Sequence, residues 1–170
     1  MLAKLFKLKI SVTRFASSSL RRLGVLAVAC AAVGLAAGET VDIYSVKDLT
    51  AAKNKLAQKR APFAAQDLAR YGNHYTMLAY REATGSAELH EYEADIFVVE
   101  SGNATIVTGG KLINGHVQKP GEIRGTSIQG GERHPLAAGD IIHIPAGVPH
   151  QLLIEKGRAF TYFVVKVTGQ

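Results

Sequence analysis

Between residues 71 and 167 apolar side chains come in short runs, and nearly every run is cut off by Gly, Pro or Asn. A run of that length cannot make a stable helix, but it suits one strand of a sheet. The runs fall at residues 75–82, 87–91, 96–100, 104–108, 141–144, 151–155 and 160–167. Many short strands at close spacing predict an all-β sandwich or barrel. The last run is apolar on both faces, with Phe160, Tyr162 and Val164 alternating against Thr161, Phe163 and Val165. That pattern fits either a buried strand or a seam between two copies of the chain, and a homodimer is expected. Residues 109–132 break the rhythm: glycines recur and apolar residues thin out. They read as a long loop with a ragged hairpin near 122–128.

Upstream of the strands one helix is expected. Ser45-Val46-Lys47-Asp48 has the spacing of a capping box, Val46, Leu49 and Leu56 recur at helical intervals, and Pro62 ends the pattern. A second short helical turn is expected around 63–68. The chain therefore divides into a leader (1–38), a helical extension (39–70) and one β-domain (71–170), a size that suits a single core.

The leader carries most of the charge imbalance. The whole chain has 20 basic and 14 acidic residues, a formal charge of +6. Lys4, Lys7, Lys9, Arg14, Arg21 and Arg22 lie within residues 1–38, which hold no acid, so the 14 bases that remain meet 14 acids. The folded part is electrically balanced, which removes the case for nucleic-acid binding. A basic stretch, an apolar run from Leu23 to Ala37 and the small residues Ala36-Ala37-Gly38 follow the order of a removable signal peptide. The apolar run is shorter than the roughly 20 residues that span a bilayer. An uncleaved membrane anchor, or a lipid anchor at Cys30, is the alternative. Export to a periplasmic or extracellular setting follows, and cleavage near Gly38 would leave a chain without cysteine.

Two segments carry chemistry. In the strand containing Glu88-Leu89-His90, alternation sends Glu88 and His90 to one face and Leu89 to the other. After a short turn Asp95 opens the next strand on the face of Phe97 and Val99, which brings it near His90. The second segment runs from Gly139-Asp140 through strand 141–144 and the tight turn Pro145-Ala146-Gly147 to His150. His150 starts a strand whose alternate residues, Leu152 and Ile154, are apolar, so it faces inward. Glu88, His90, Asp95 and His150 would then form a four-ligand site of nitrogen and oxygen donors.

These segments resemble the two signature motifs of the cupin superfamily. Gly139, Pro145, Gly147 and His150 match the second motif at every spacing, with Ile154 where the motif ends in Asn. In the first motif Glu88 stands at the first His, His90 at the second, Asp95 at the Glu and Gly102 at the closing Gly, while Glu82 replaces the opening Gly. A register starting at His90 would make Tyr92 a ligand and leave no carboxylate at the right distance.

The resemblance implies a cupin jelly-roll β-barrel whose ligands face the lumen. It also implies a divalent metal cofactor and a small-molecule partner, with oxygenase, isomerase or lyase chemistry as the classes it admits. Two carboxylates in the set favour Mn²⁺ or Fe²⁺ over Zn²⁺. The competing expectation is a binding or sensing barrel without metal, in which Glu88 and Asp95 hydrogen-bond the histidines. Glu88 is the candidate general base, and Tyr92, on the turn between the ligand strands, is a candidate acid or hydrogen-bond donor. His143 is expected at the surface or packed behind the ligands. His74 and His134 read as ordinary polar positions, and His116 matters only if its loop closes over the barrel.

Overall fold

The computed structural model describes residues 41–170, so the leader read at 1–38 lies outside the described residues. Helix α1 (Val46–Ala57) is capped as the sequence predicts: the Asp48 amide donates to Ser45 Oγ at 3.2 Å. No helix among the described residues is long and apolar enough to cross a membrane.

Thirteen strands follow: β1 (Phe63–Arg70), β2 (His74–Arg81), β3 (Ala87–His90), β4 (Glu93–Ser101), β5 (Ala104–Thr108), β6 (Lys111–Ile113), β7 (His116–Lys119), β8 (Glu122–Gly125), β9 (Ser127–Gln129), β10 (Glu132–Leu136), β11 (Ile141–Ile144), β12 (His150–Leu153) and β13 (Phe160–Thr168). One sheet has the order β1-β2-β13-β4-β11, a second β10-β5-β12-β3-β8-β7, and β6 pairs with β9. Phe97, Val99, Phe160, Tyr162 and Val164 from the first sheet meet Ile106, Leu136 and Leu152 from the second in one buried cluster. The expected all-β barrel is present.

Ile154 belongs to this cluster, which accounts for an apolar residue in place of the motif's Asn. The outer face of the first sheet is covered by α1, where Leu56 packs with Ala64, Leu78 and Tyr80. Gly102, which closes the first motif, turns β4 into β5 at φ 84°. A Cβ there would sit 2.0 Å from the Ala159 carbonyl oxygen, so only glycine fits.

Two expectations are corrected. Residues 63–68 do not form a helical turn: β1 runs antiparallel to β2, pairing Ala64 with Tyr80 and Gln66 with Leu78. Its Ala-rich sequence has the propensity of a helix, and cross-strand pairing overrides it. The segment 109–132 is not a loop either. It holds β6 to β9 and leads into β10, the turns being made by glycines at positive φ, among them Gly110, Gly121 and Gly130. Because β7 is exposed along its whole length, it carries no apolar alternation for a sequence reading to find.

Strand β13 resolves the ambiguity over its two apolar faces. It lies in the middle of its sheet, hydrogen-bonded to β2 on one side and β4 on the other. One face is lumen core and the other, with Phe163, packs beneath the N-terminal segment beside Tyr44. A seam between copies cannot run along this strand.

Candidate metal centre

Register sets the site. Across β3 and β12, Glu88 stands opposite His150. The two motifs are tied where Gly147, at φ 77°, donates its N–H to the His90 carbonyl at 2.7 Å. Across β4 and β13, Asp95 stands opposite Lys166. The second sheet thus supplies Glu88, His90 and His150, the first supplies Asp95 and Lys166, and the groups meet between them.

Glu88, His90 and His150 each offer one ligand atom, all within 4.8 Å of one another, a group able to hold a metal ion. His150 Nδ1 lies 3.1 Å from the Val148 carbonyl. A carbonyl only accepts, so Nδ1 carries the proton and the Nε2 lone pair points into the site. Burial lowers the His150 pKa, against the raising effect of Glu88 and Asp95, which keeps the ring neutral as a ligand must be. For Glu88, burial would raise the pKa, but the guanidinium charges of Arg124 and Arg81 beside it outweigh that. Its carboxyl is held well below the usual range. Two imidazoles and an ionised carboxylate are a donor set that suits a divalent ion.

Asp95 is only 1% exposed and is not within that three-residue group. Its Oδ2 lies 3.6 Å from His90 Nε2 and 3.5 Å from His150 Nε2. The partner it does engage is Lys166, whose Nζ donates to Oδ2 at 2.9 Å and lies 2.7 Å from Oδ1. That second approach falls outside hydrogen-bonding geometry, so Oδ1 has an ion-pair contact without a hydrogen bond. Lys166 Nζ also lies 2.7 Å from His90 Nε2. Lys166 lies outside the site residues that the sequence motifs mark. Its signal was the alternation Phe160, Tyr162, Val164, which continues two residues further to Lys166.

Above the group opens a cavity of about 420 Å³, lined by Glu88, His90, Asp95 and Lys166 below, with Tyr75, Phe97 and Glu93 among its walls. Tyr75 donates its hydroxyl to Glu93 at 3.3 Å. Two arginines overlooked in the sequence hold Glu88 in place. Arg81 donates to Glu88 Oε1 at 3.2 Å and to the buried Tyr162 hydroxyl at 2.9 Å. Arg124, from β8, lies 2.5 Å from the same Oε1 and also pairs with Glu122. The glycine-rich segment therefore furnishes part of the cavity wall.

Tyr92 is not brought to the cavity. It is 61% exposed on the β3–β4 turn, with its ring against Gly121. His143 is exposed on β11, as is His116 on β7. His134 lies 3.5 Å from Glu132 at the surface, and His74 stacks on Tyr71.

No protein-family model and no curated protein matches the chain. Solved structures do. An uncharacterised conserved protein with a double-stranded β-helix domain from Klebsiella pneumoniae is similar over 77% of this chain and 93% of its own, with 16% identity and a TM-score of 0.53. A cupin superfamily protein from Desulfitobacterium hafniense matches 62% of this chain and 77% of its own, at 16% identity and a TM-score of 0.44. The polyketide cyclase RemF from Streptomyces resistomycificus matches 62% of this chain and 65% of its own, at 16% identity and a TM-score of 0.45. This chain therefore has the fold of a double-stranded β-helix domain.

Proposed function

We propose that this cupin binds a small polar molecule in the lumen cavity and acts on it with a divalent ion held by Glu88, His90 and His150. The observation that supports this most is the three-residue group itself: ligand atoms within 4.8 Å of each other, two of their residues lining a cavity of about 420 Å³. A bound ion would supply Lewis-acid polarisation of a substrate oxygen or a site for dioxygen, the chemistry of isomerases, lyases and oxygenases. The chain's own part is to keep Glu88 ionised through Arg81 and Arg124, and to hold His150 in the tautomer that presents Nε2. Carboxylate in the set favours Mn²⁺ or Fe²⁺. Anomalous scattering from crystals grown with Mn²⁺ tests the reading. A peak between Glu88, His90 and His150 supports it, and a peak elsewhere or none contradicts it.

A second reading has its own observation. Lys166 already places a positive charge beside His90 and Asp95, which suits a metal-free barrel that captures its ligand without turnover. Screening small polar metabolites against chelator-treated chain separates the two: undiminished ligand affinity without metal favours the binder.

Export is part of the proposal, supported by the basic, apolar and small-residue order of residues 1–38. N-terminal sequencing of the chain recovered outside the cytoplasm should begin near Glu39, and a retained Met1 would refute cleavage. A homodimer is proposed too. With β13 in mid-sheet, pairing would use an edge such as β11, where Ile141 is 69% exposed. A monomeric mass by sedimentation would refute it.

A further inference from the structure

His90 Nε2 has one lone pair, and the structure gives it an occupant. Lys166 Nζ lies 2.7 Å away, nearer than Glu88 Oε2 at 3.5 Å or Asp95 Oδ2 at 3.6 Å. An ammonium has only protons to give, so in this contact Nε2 accepts. A metal ion at His90 would need the same lone pair. Both cannot hold it.

The charge pattern around this point favours a resident cation. Glu88, Asp95, His90 and His150 turn carboxylate oxygens and ring nitrogens toward one another, with separations near 3.5 Å. Asp95 is 1% exposed, and a carboxylate buried to that degree needs a counter-charge. The arginines of the site do not provide one, since Arg81 and Arg124 are engaged with Glu88. Lys166, from the strand next to Asp95, fills that place.

We infer that Lys166 is a built-in competitor for the metal centre: its ammonium occupies the His90 lone pair in the metal-free chain and must give it up when an ion binds. This rests on the metal reading proposed above and adds what it lacked, a reason why the site would load weakly or only with a displaced lysine. Metal affinity is then set by a side chain that need not be a ligand. Once Lys166 is removed, Asp95 loses its counter-ion and becomes available as a further oxygen donor.

The test is Co²⁺ binding by the full chain, followed by calorimetry and visible absorption, beside Lys166→Met and Lys166→Gln. Each variant is first checked by near-ultraviolet circular dichroism for a native spectrum. Relief of the competition should tighten Co²⁺ binding by about 5- to 150-fold, the usual span of coupling between two sites, and Asp95→Asn added to Lys166→Met should take part of that gain back. Equal or weaker binding by folded Lys166 variants overturns the inference while leaving the metal reading standing. No Co²⁺ bound by any of the chains overturns both. Should neither variant fold, the unsubstituted chain suffices. In a ¹⁵N-lysine sample the slowly exchanging signal of the buried ammonium should move on Co²⁺ saturation, and an unmoved signal in a Co²⁺-loaded chain overturns the inference.

Discussion

Replacing Asp95 by asparagine in the metal-free chain isolates the energetics of the barrel's most buried ion pair. Asp95 is 1% exposed and the Lys166 side chain 11%, so water screens neither. Removing one charge of a buried pair strands the other and costs about 3–5 kcal/mol. The Asp95→Asn change would leave the ammonium with His90 as its remaining polar partner of full strength. Lys166→Met should cost a similar amount by stranding Asp95.

The double variant is the decisive arm. With both charges gone nothing ionic is stranded, and replacing a buried pair by neutral groups is often close to neutral. We expect the double loss to fall short of the summed single losses by at least about 2 kcal/mol, well beyond the few tenths that independent sites show. Urea unfolding with chelator present, followed by circular dichroism and tyrosine fluorescence, measures this. At a slope of about 2 kcal/mol per molar, each single change should lower the midpoint by about 1.5–2.5 M. Additive losses, or single losses under about 1 kcal/mol, would refute the reasoning that the pair is buried and mutually dependent.

Other consequences are open to measurement. Glu88→Ala should reduce metal content as far as His150→Ala does, and unchanged occupancy would remove Glu88 from the ligand set. Gly102→Ala should cost at least about 2 kcal/mol, since it combines a strained φ with a backbone clash; a shift under about 0.5 kcal/mol by urea midpoint would contradict the close approach to Ala159. Acid should destabilise the metal-free chain in two steps. The folded pKa of His150 is depressed, so its contribution is present above the unfolded value of about 6.5 and falls away as pH drops below it; Glu88, also depressed, adds a second loss below about 4.3. The midpoint in urea should fall from pH 7 to pH 3, with a shallower acid limb in Glu88→Gln; a midpoint that rises on acidification would be inconsistent with both shifts.

The barrel was legible because its core strands obey alternation. Leu152 and Ile154 after His150, and Phe97 and Val99 after Asp95, pointed inward as read, and the spacing from Gly139 to His150 is kept by two turns the sequence announces. What escaped notice were cations at the ends of apolar stripes. Lys166 continues Phe160, Tyr162 and Val164, and Arg81 continues Tyr75, Met77 and Ala79 along β2. A charged residue at a strand end ordinarily reads as exposed; here Lys166 finds the buried Asp95 on the neighbouring strand β4 and Arg81 finds Glu88 on the facing sheet, pairings that the alternation within one strand does not encode. Arg124 escaped for another reason. Its strand lies in a glycine-rich stretch where turn residues outnumber apolar ones, and only the pairing of β8 with β3, Arg124 opposite Glu88, gives it a role. Strand β1 shows the reverse error, helix-forming residues drawn into a sheet by their neighbour.

The most direct test of the metal centre is elemental analysis of the purified full chain beside a His90→Ala/His150→Ala double variant. Near-stoichiometric divalent metal in the first and none in the second is the predicted result. Absence of metal from the unsubstituted chain, even after incubation with Mn²⁺, Fe²⁺ and Zn²⁺ in turn, would contradict it and leave the barrel as a metal-free binding protein with Lys166 as its cation.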